Sequence, residues 1–378
     1  MDFAFTDEQQ MWHDVVHSFM EKEVGREYTR EHDQSREFPE ELYQKAAELG
    51  WLGLLLPEAQ GGLDTDPVMF AIFCEAIGKY SLDTAACLMT SMFTATNIAR
   101  HGTTAQKDAY LKPFLRGETK FSISISEPQS GSDAAGARST ARLDGDEWVL
   151  NGNKVWCSGA HLPNTTIVVM ARTSDDRYGG FSLFLVPNTT PGLQLKKMNT
   201  IVRKSLGTTE FFMDDLRVPK ENLLGEVGKG WKYIGEHLDL ERLSIAASQV
   251  GNARTALDDT IRYTGDRQAF GRNLSSFQVL KHRMADDEIN IAAARLLVYS
   301  AACKLAKGEK ATKDVSMAKV FAVNALYQTA FNGMQALGGY AQLPEYDMER
   351  YFREAKHGMV GGGTNEIQRG IIAKEMGI

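Results

Sequence analysis

The sequence predicts an α+β protein built from three consecutive parts. The spacing of apolar residues is helical up to about residue 120, alternates through residues 121–232, and is helical again from residue 233 to the end of the 378-residue chain. We therefore expect an N-terminal helical domain (1–120), a middle antiparallel, barrel-like β domain (121–232) and a C-terminal helical domain (233–378). A chain of this length suits two or three packed units better than one small core.

The first helix has a clear start signal. Thr6-Asp7-Glu8-Gln9 is a capping box, and Met11, Val15 and Phe19 follow at helical spacing, which predicts a buried stripe. The same helix contains His13-Asp14-Val15-Val16-His17, a near match to the zinc-binding pattern HExxH. Aspartate is a short substitute for the glutamate of that pattern, and no third ligand is apparent. We interpret the two histidines as part of a solvated polar face and expect no metal site.

The alternating part begins at Phe121. Phe121, Ile123 and Ile125 alternate with serines, which predicts a strand. Asn151-Gly152 lies between two apolar runs, which predicts a tight hairpin turn. Turn residues separate the further predicted strands, which are Thr166–Met170, Phe181–Val186, Leu193–Lys197 and Thr209–Met213.

The last part is helical after Gly228-Lys229-Gly230. Long helices are predicted at about 233–264, 275–306 and 313–337, and a final helix begins near Thr364. The Gly228-x-Gly230 pattern is half of a dinucleotide-binding fingerprint, but it lacks the third glycine and the βαβ pattern that should follow. We interpret it as a hinge that leads into the next helix.

A carboxylate interrupts the apolar face of that helix. Ile234, Leu238, Glu241 and Ile245 recur at helical spacing, so the four predict one stripe. A buried carboxylate is costly unless it is paired, protonated or used, and burial raises the pKa of a carboxyl group toward the range of a general base. The residues alone leave two interpretations open: a general base, or a structural ion pair with a cation such as Arg242.

Composition limits the function classes. Hydrophobic residues make up 43% of the chain and charged residues 24%, which is ordinary for a globular protein, and the net charge of -7 disfavours nucleic acid as a partner. No apolar run reaches the roughly 20 residues of a membrane span, and no targeting segment is apparent at the N-terminus. The four cysteines are scattered, so we expect reduced core thiols in a cytoplasmic protein.

Five sequence segments carry more specific information. They are Ser126-Glu127-Pro128-Gln129-Ser130-Gly131-Ser132-Asp133, Asn151-Gly152-Asn153-Lys154-Val155-Trp156-Cys157-Ser158, Arg267-Gln268-Ala269-Phe270-Gly271, Gln335-Ala336-Leu337-Gly338-Gly339 and Gly363-Thr364-Asn365-Glu366-Ile367-Gln368. Together with the order helical, β, helical, they resemble the acyl-CoA dehydrogenase family over the whole chain. The resemblance implies a C-terminal four-helix bundle, FAD between the β domain and the bundle, and a homotetramer built as a dimer of dimers.

The resemblance also implies roles for individual residues. Ser126, Trp156 and Ser158 would contact the flavin, and Ser132 would lie near the flavin diphosphate or the CoA chain. The alternatives are solvent-facing strand serines and a core tryptophan, which is the commoner fate of that residue. An arginine suits a diphosphate, and a glycine pair lets backbone amides approach one, although such a pair is also an ordinary helix C-cap. The implied FAD contacts in the helical part are Arg267, Phe270, Gln278, Gln335, Gly338, Gly339, Thr364 and Glu366.

The position of the base differs within the family that the chain resembles. Many members carry the catalytic glutamate directly before the Gly-Thr of the last segment, where this chain has Gly362. A smaller group, including isovaleryl-CoA and long-chain acyl-CoA dehydrogenases, carries it on the bundle helix before an arginine, which matches Glu241 and Arg242. We therefore expect Glu241 to be the base. The Gly362 N–H and a flavin ribityl hydroxyl would polarise the thioester carbonyl, and Asp239 and Arg242 would position the CoA chain or the base.

The implied activity is FAD-dependent α,β-dehydrogenation of an acyl-CoA thioester in fatty acid or amino acid catabolism, with electrons passing to an electron-transfer flavoprotein. Gly361-Gly362-Gly363 removes bulk where relatives often place a tyrosine and the glutamate, so we expect a branched, cyclic or otherwise wide acyl group. The alternatives are an enoyl-CoA reductase, a flavin oxidase or monooxygenase of the same fold, and a non-catalytic acyl-CoA-binding subunit.

Overall fold

The structure, a computed structural model, describes residues 4–378. The chain forms two compact units, and each is assembled from separate segments. The helical unit contains residues 4–34, 66–85 and 239–378, and the β unit contains residues 35–65 and 86–238. The order of elements along the chain is helical, then β, then helical, so the predicted α+β class is confirmed.

In the described residues, six α-helices precede the sheet. They are α1 (Asp7–Phe19), α2 (Gly25–Ser35), α3 (Glu40–Glu48), α4 (Pro67–Ile77), α5 (Leu82–His101) and α6 (Thr104–Leu115). Helix α1 begins at the predicted capping box, whose two side chains bind each other's backbone N–H groups. The predicted buried stripe is wrong, because Met11 and Val15 are 63% and 55% exposed whereas Val16 is fully buried. The inward face is set by Trp12, which donates to the Met69 carbonyl of α4 at 2.9 Å.

The two histidines of α1 do not form a solvated face either. His17 is partly buried, and burial lowers its pKa to about 4, with the charges of His13 and Lys79 acting in the same direction. The rings of His13 and His17 lie 4.0 Å apart. His17 is therefore neutral at pH 7 and acts as a packing residue. Among residues 4–378, no group of three or more His, Cys, Asp or Glu side chains is placed to hold a metal ion.

Eight strands form one sheet in the β unit. They are β1 (Lys120–Ser124), β2 (Thr140–Asp144), β3 (Glu147–Ser158), β4 (Thr165–Arg172), β5 (Phe181–Pro187), β6 (Leu193–Met198), β7 (Thr208–Pro219) and β8 (Leu223–Leu224). The strand order is β6-β7-β3-β2-β4-β5-β8, with β1 paired to β4. The β1–β4 and β2–β4 pairs are parallel, so the expected antiparallel arrangement holds only for the other strand pairs.

The predicted hairpin turn at Asn151-Gly152 is wrong. Strand β3 runs through both residues, and its register against β7 shifts there. Asn151 lies opposite Asp214 and Asp215, so β7 carries the extra residue of a β-bulge. The Asn151 side chain bonds both the backbone N–H and the carboxylate of Asp215 across the sheet. A Cβ on Gly152 would lie 2.3 Å from Ser139 Oγ, so the glycine permits a close approach of two segments. The turn between β2 and β3 lies instead at Gly145, where φ is +65°.

Strand β1 is covered on both faces. Phe121 is buried, as expected, but Ser122 and Ser124 on the other face are buried as well. The Ser122 hydroxyl is satisfied because it donates to the Ser158 carbonyl at 2.8 Å. These serines are therefore core residues that connect β1 to the end of β3.

Six α-helices follow the sheet in the described part of the chain. They are α7 (Gly230–Gly235), α8 (Leu238–Asp266), α9 (Gln278–Ala306), α10 (Thr312–Leu337), α11 (Met348–Gly358) and α12 (Asn365–Glu375), and a short hairpin of β9 (Gln268–Ala269) and β10 (Arg272–Asn273) joins α8 to α9. The helix predicted at 233–264 is interrupted at Glu236–His237, so Ile234 lies on α7 and Glu241 on α8. Of the predicted four-residue stripe, Leu238, Glu241 and Ile245 share one helix. Helix α11 was not predicted, because charged residues interrupt its apolar spacing.

By length and composition alone, helix α9 is long and apolar enough to cross a membrane. This differs from the expectation that no apolar run reaches the length of a membrane span. Helices of globular proteins pass the same test, and α9 packs against α4 and α10 within the helical unit. Some of its apolar side chains remain exposed, including Ile289 at 65% and Leu296 at 54%. Cys303 on this helix is also exposed, whereas the other three cysteines are buried as expected.

A buried carboxyl group makes the stability of the helical unit dependent on pH. Burial raises the pKa of Glu354 on α11 to about 7, from an ordinary value of 4.5. Its oxygens accept bonds from the Ser81 hydroxyl and from the Leu82 N–H at the start of α5. Between pH 4.5 and 7 the folded state therefore binds more protons than the unfolded state, and stability falls as pH rises through this range.

The variant Glu354→Gln removes the titrating group. We expect its free energy of unfolding, measured by denaturant titration, to change less between pH 4.5 and 7 than that of the wild type, since each unit of pKa difference corresponds to about 1.4 kcal/mol. Glu349→Gln on the same helix is the control. An unchanged slope for Glu354→Gln would contradict the assignment.

Candidate active site

Glu241 lies in the first turn of α8 and is half-buried. A carboxylate at the N-terminal end of a helix is stabilised by the helix dipole, which favours the ionised form that a base needs. The residue after it, Arg242, is buried, and Asp239 Oδ1 is 3.5 Å from its guanidinium. Asp239 is fixed in turn, because its Oδ2 accepts a bond from the Thr312 hydroxyl at 2.7 Å.

Glu241 faces a loop made of three glycines. Gly362 has a φ of +64°, a conformation that other residues rarely adopt. A Cβ on Gly362 would lie 3.7 Å from Glu241 Oε1 and 2.6 Å from Ile245 Cδ1. The structure therefore brings together two residues that the sequence predicted from separate segments, Glu241 and Gly362. It also shows that Ile245 fills the space that a side chain at Gly362 would need.

Burial lowers the pKa of the Arg242 guanidinium, and the carboxylates of Asp239 and Glu241 oppose that change. Arg242 Nε is buried and has no hydrogen-bond partner in the described part of the chain. An unpaired buried donor is costly, which suggests a site that a ligand or an ordered water completes. Arg242 is thus suited to hold an acceptor beside Glu241.

Sequence reasoning missed one charged residue of this site. Lys319 on α10 is fully buried and donates from Nζ to the carbonyls of Gly361 and Gly363. The only sequence signal was a lysine within an apolar helical run, Met317-Ala318-Lys319-Val320-Phe321.

In the β unit, three of the predicted flavin contacts lie on two neighbouring segments. The Val155 N–H donates to the Ser126 carbonyl at 3.1 Å, which joins the chain after β1 to β3. Trp156 is 59% exposed and has a φ of +65°, so it is not a core aromatic. Ser126 and Ser158 are each half-buried, and neither is a fully solvent-facing strand serine. Ser132 lies apart from them, exposed on the following loop.

A buried ion pair fixes the backbone of these segments. Lys154 and Glu127 are 0% and 3% exposed, and Lys154 Nζ lies 3.0 Å from Glu127 Oε1. Burial alone would raise the pKa of Glu127, but the Lys154 charge and the N–H groups of Arg138 and Ser139 lower it to about 2. The pair fixes the backbone on both sides of Ser126, because Lys154 also donates to the carbonyl of the preceding residue.

In the helical unit, the predicted FAD contacts form a second exposed group. Phe270, in the β9–β10 hairpin, is 94% exposed, and the Arg267 guanidinium lies 5.7 Å from the Tyr340 ring centre. Gly338 and Gly339 directly precede that tyrosine, and open space surrounds the positions that their Cβ atoms would take. The hairpin and the end of α10 are therefore brought together. Gln278 and Gln335 are also exposed in this part of the unit.

This group fits an adenosine diphosphate. The guanidinium can bind a diphosphate through two parallel bonds, and the uncovered glycine pair lets a phosphate approach the backbone. The exposed phenylalanine offers a face for a ring. Thr364 and Glu366 lie elsewhere, at the start of α12, where the Thr364 hydroxyl caps the helix by accepting the Ile367 N–H and Glu366 is exposed.

Comparisons with known proteins agree with this geometry. Residues 6–118 match the family model "Acyl-CoA dehydrogenase, N-terminal domain", residues 122–216 the middle domain, and residues 228–377 the C-terminal domain. The three matches cover most of the chain.

Individual proteins are similar over their full length. The chain is 36% identical over 380 residues to "Probable acyl-CoA dehydrogenase YngJ" of Bacillus subtilis, covering 100% of both chains. It is 32% identical over 371 residues to the CarC subunit of the caffeyl-CoA reductase-Etf complex of Acetobacterium woodii, covering 98% of both. The solved butyryl-CoA dehydrogenase of Megasphaera elsdenii is similar at a TM-score of 0.93, with 32% identity and 100% coverage of both chains.

A solved FAD complex of PigA is similar at a TM-score of 0.94 and 26% identity, covering 100% of this chain and 99% of that one. FAD is accordingly the cofactor of this fold and of this chain, and the residues described above are suited to bind it. Three matched domains and full-length relatives above 30% identity lead to one conclusion: the chain is a FAD-dependent oxidoreductase of the acyl-CoA dehydrogenase family.

Proposed function

We propose that this protein catalyses α,β-dehydrogenation of an acyl-CoA thioester, with Glu241 as the base that removes the α proton. The observation that carries the proposal is the position of Glu241 Oε1 beside the glycine loop, 3.7 Å from the place of a Gly362 Cβ. FAD, when bound, supplies the acceptor for the β hydride at flavin N5. Many family members carry the catalytic glutamate at the position of residue 362, which is a glycine in this chain. Glu241 is the carboxylate that lies beside this loop and can take the place of that glutamate.

The chain's own residues have two tasks in this mechanism. The α C–H of a thioester is a weak acid, so the negative charge that develops on the carbonyl oxygen must be stabilised as the proton moves to Glu241. The Gly362 N–H is the proposed donor to that oxygen. Asp239 and Arg242 are proposed to hold the acyl-CoA chain or the base, which the tie between Asp239 and Thr312 supports. The serine and tryptophan positions of the β unit are proposed to orient the flavin.

The reaction class can be tested without oxygen. The purified yellow protein is mixed with a panel of acyl-CoAs, and flavin absorbance is followed. Bleaching by at least one saturated acyl-CoA, with formation of the enoyl-CoA, is the expected result. A colourless protein that binds acyl-CoA would support a non-catalytic subunit instead, and rapid oxygen consumption in air would support an oxidase. The monooxygenase alternative is disfavoured because those enzymes do not need a base at Glu241.

The acyl group is proposed to be branched, cyclic or otherwise wide, and Ile245 is the residue that limits it. The three glycines supply no side chains, but Ile245 Cδ1 lies only 2.6 Å from the position of a Gly362 Cβ. We therefore expect Ile245→Ala to shift the preference toward wider acyl groups by roughly tenfold in kcat/KM, since a single methylene group in a hydrophobic pocket is worth about 1–3 kcal/mol. The measurement is kcat/KM for a linear and a branched acyl-CoA of equal carbon number. Ile261→Ala, exposed on the same helix, is the control, and an unchanged ratio for Ile245→Ala would contradict the assignment.

A reductase that runs the reaction backward is the second candidate. The relatives support it, because they include a caffeyl-CoA reductase subunit and a "3-(aryl)acrylate reductase" of Clostridium sporogenes, both at 32% identity. Their names describe conjugated aryl substrates, which agrees with a wide acyl group. Chemically reduced protein distinguishes the two directions: fast reoxidation by an enoyl-CoA with slow bleaching by the saturated acyl-CoA would favour the reductase.

The electron partner is proposed to be an electron-transfer flavoprotein, and the assembly a homotetramer. The Acetobacterium relative is named as a subunit of a reductase-Etf complex, which supports an electron-transfer flavoprotein as the partner. The exposed apolar side chains of α9 support the association of subunits. The mass of the native protein in solution tests the tetramer. A cytoplasmic location is proposed because all four cysteines are free thiols.

A further inference from the structure

Lys319 has an unusual environment for a lysine. Its side chain is fully buried on α10, and its Nζ donates to the Gly361 carbonyl at 2.7 Å and to the Gly363 carbonyl. Burying an ammonium group is costly unless it is well bonded. A methionine would fill the same space without that cost, so the two bonds to the loop are the specific property that this lysine contributes.

The loop that it binds needs such support. Glycine has more backbone freedom than any other residue, and three occur here in succession. Gly362 and Gly363 have φ values of +64° and +89°. The remaining carbonyl, that of Gly362, accepts a bond at 3.0 Å from Nε2 of the fully buried Gln368. Two buried side chains thus bind all three carbonyl groups of the loop.

The bond to Gly361 has a direct geometric consequence. A carbonyl and the following N–H belong to one planar peptide unit and point in opposite directions when the unit is trans, and the described chain contains no cis peptide bond. Fixing the Gly361 carbonyl therefore fixes the direction of the Gly362 N–H, which points away from Lys319. This is the N–H proposed above to stabilise the thioester oxygen.

We propose that Lys319 is a positioning residue for the reaction, which holds the Gly361–Gly362 peptide so that the Gly362 N–H stays aligned on the thioester carbonyl. The inference rests on the proposed function, because it assigns a role within the same site. In this role Lys319 acts through the Gly361–Gly362 peptide.

The charge of Lys319 is consistent with this role. Lys319 Cε lies 3.8 Å, and Glu241 Oε1 3.7 Å, from the position of a Gly362 Cβ, so the ammonium and the carboxylate flank the same glycine. Burial lowers the pKa of Lys319 to about 8, the Glu241 charge opposes this change, and the Arg242 charge adds to it. At pH 7 Lys319 is therefore mostly charged, and bonds from a charged donor are about twice as strong as neutral ones.

The test compares Lys319→Met with the wild type in three measurements. The first measurement gives FAD content and thermal stability. The second gives the rate of flavin reduction at saturating acyl-CoA and the Kd of the enoyl-CoA product. The third is the long-wavelength absorbance formed with a 3-thia acyl-CoA, which can lose its α proton but has no β hydrogen to transfer. That absorbance reports the enolate beside the oxidised flavin and does not depend on turnover. Lys304→Met, at a partly exposed lysine paired with Asp314, is the matched control.

We expect Lys319→Met to keep its FAD and its product Kd while the reduction rate falls about 100-fold, the loss typical of a reacting group misplaced by about 1 Å. The enolate absorbance should fall in parallel. If the methionine variant does not fold, Lys319→Leu, which also lacks a donor, is measured instead. A normal rate and normal enolate absorbance in either folded variant would overturn the inference. If Glu241→Gln were fully active, the proposed function would fail first, whereas an inactive Glu241→Gln with an unaffected Lys319→Met would refute only the role of Lys319.

Discussion

Glu241→Gln is expected to lower the rate of flavin reduction by acyl-CoA roughly 10²- to 10⁴-fold, the usual contribution of a general base, while the protein keeps its FAD. Glutamine has nearly the same shape as glutamate, so it preserves the contacts of the first turn of α8 and removes only the capacity to accept a proton. Arg242, buried beside it, keeps its 3.5 Å contact with the Asp239 carboxylate.

The matched control for this variant is Asp258→Asn on the same helix. The Asp258 side chain is 57% exposed and lies 3.5 Å from Arg254, so its loss should leave both the rate and the FAD content unchanged. Stopped-flow absorbance at the flavin maximum measures the rate. A Glu241→Gln protein that bleaches as fast as the Asp258→Asn protein would place the base elsewhere.

The second large effect is expected from Lys154→Met in the β unit. Removing Lys154 leaves the Glu127 carboxylate buried without its cation, which typically costs about 3–5 kcal/mol of stability. Because the pair fixes the backbone around Ser126 and Trp156, we also expect weaker FAD binding. Denaturant unfolding and the ratio of flavin to protein absorbance measure the two effects.

Two further variants separate the buried charge from the loss of packing. The double variant Lys154→Met/Glu127→Leu removes both charges and should recover part of the lost stability, since a buried pair replaced by apolar residues is often tolerated. Arg116→Ala breaks an ion pair with Glu118 whose side chains are 57% and 54% exposed, and should leave the free energy of unfolding nearly unchanged. Equal losses for Lys154→Met and Arg116→Ala would contradict the structural role of the buried pair.

Local sequence patterns predicted the parts of the fold that depend on local periodicity. The change from helical to alternating spacing near residue 120 and back near residue 230 corresponds to the start and end of the sheet. The capping box at Thr6 and the cap at Thr364 were also predictable, because each involves residues only three positions apart. Glu241 interrupted an apolar face, which made it either a base or a structural ion pair, and the family resemblance favoured the base.

Features that depend on distant partners could not be predicted. Asn151-Gly152 has the composition of a hairpin turn, but both residues lie within β3, opposite a bulge of β7 and against Ser139. Lys319 is a lysine within an apolar helical run, and nothing nearby in the sequence indicates the glycine loop as its partner or Glu127 as the partner of Lys154. The width of the acyl site was likewise inferred from the glycines alone, whereas Ile245 occupies the space beside Gly362.

The most direct test of the central claim is exchange of the substrate α proton with solvent. The oxidised protein is incubated without oxygen in D2O with an acyl-CoA whose β carbon carries no hydrogen, so that proton removal is observed without hydride transfer. We predict that deuterium enters the α position with the wild-type protein and does not enter with Glu241→Gln. Equal exchange with both proteins would show that Glu241 does not remove the α proton, and would contradict the account of this site.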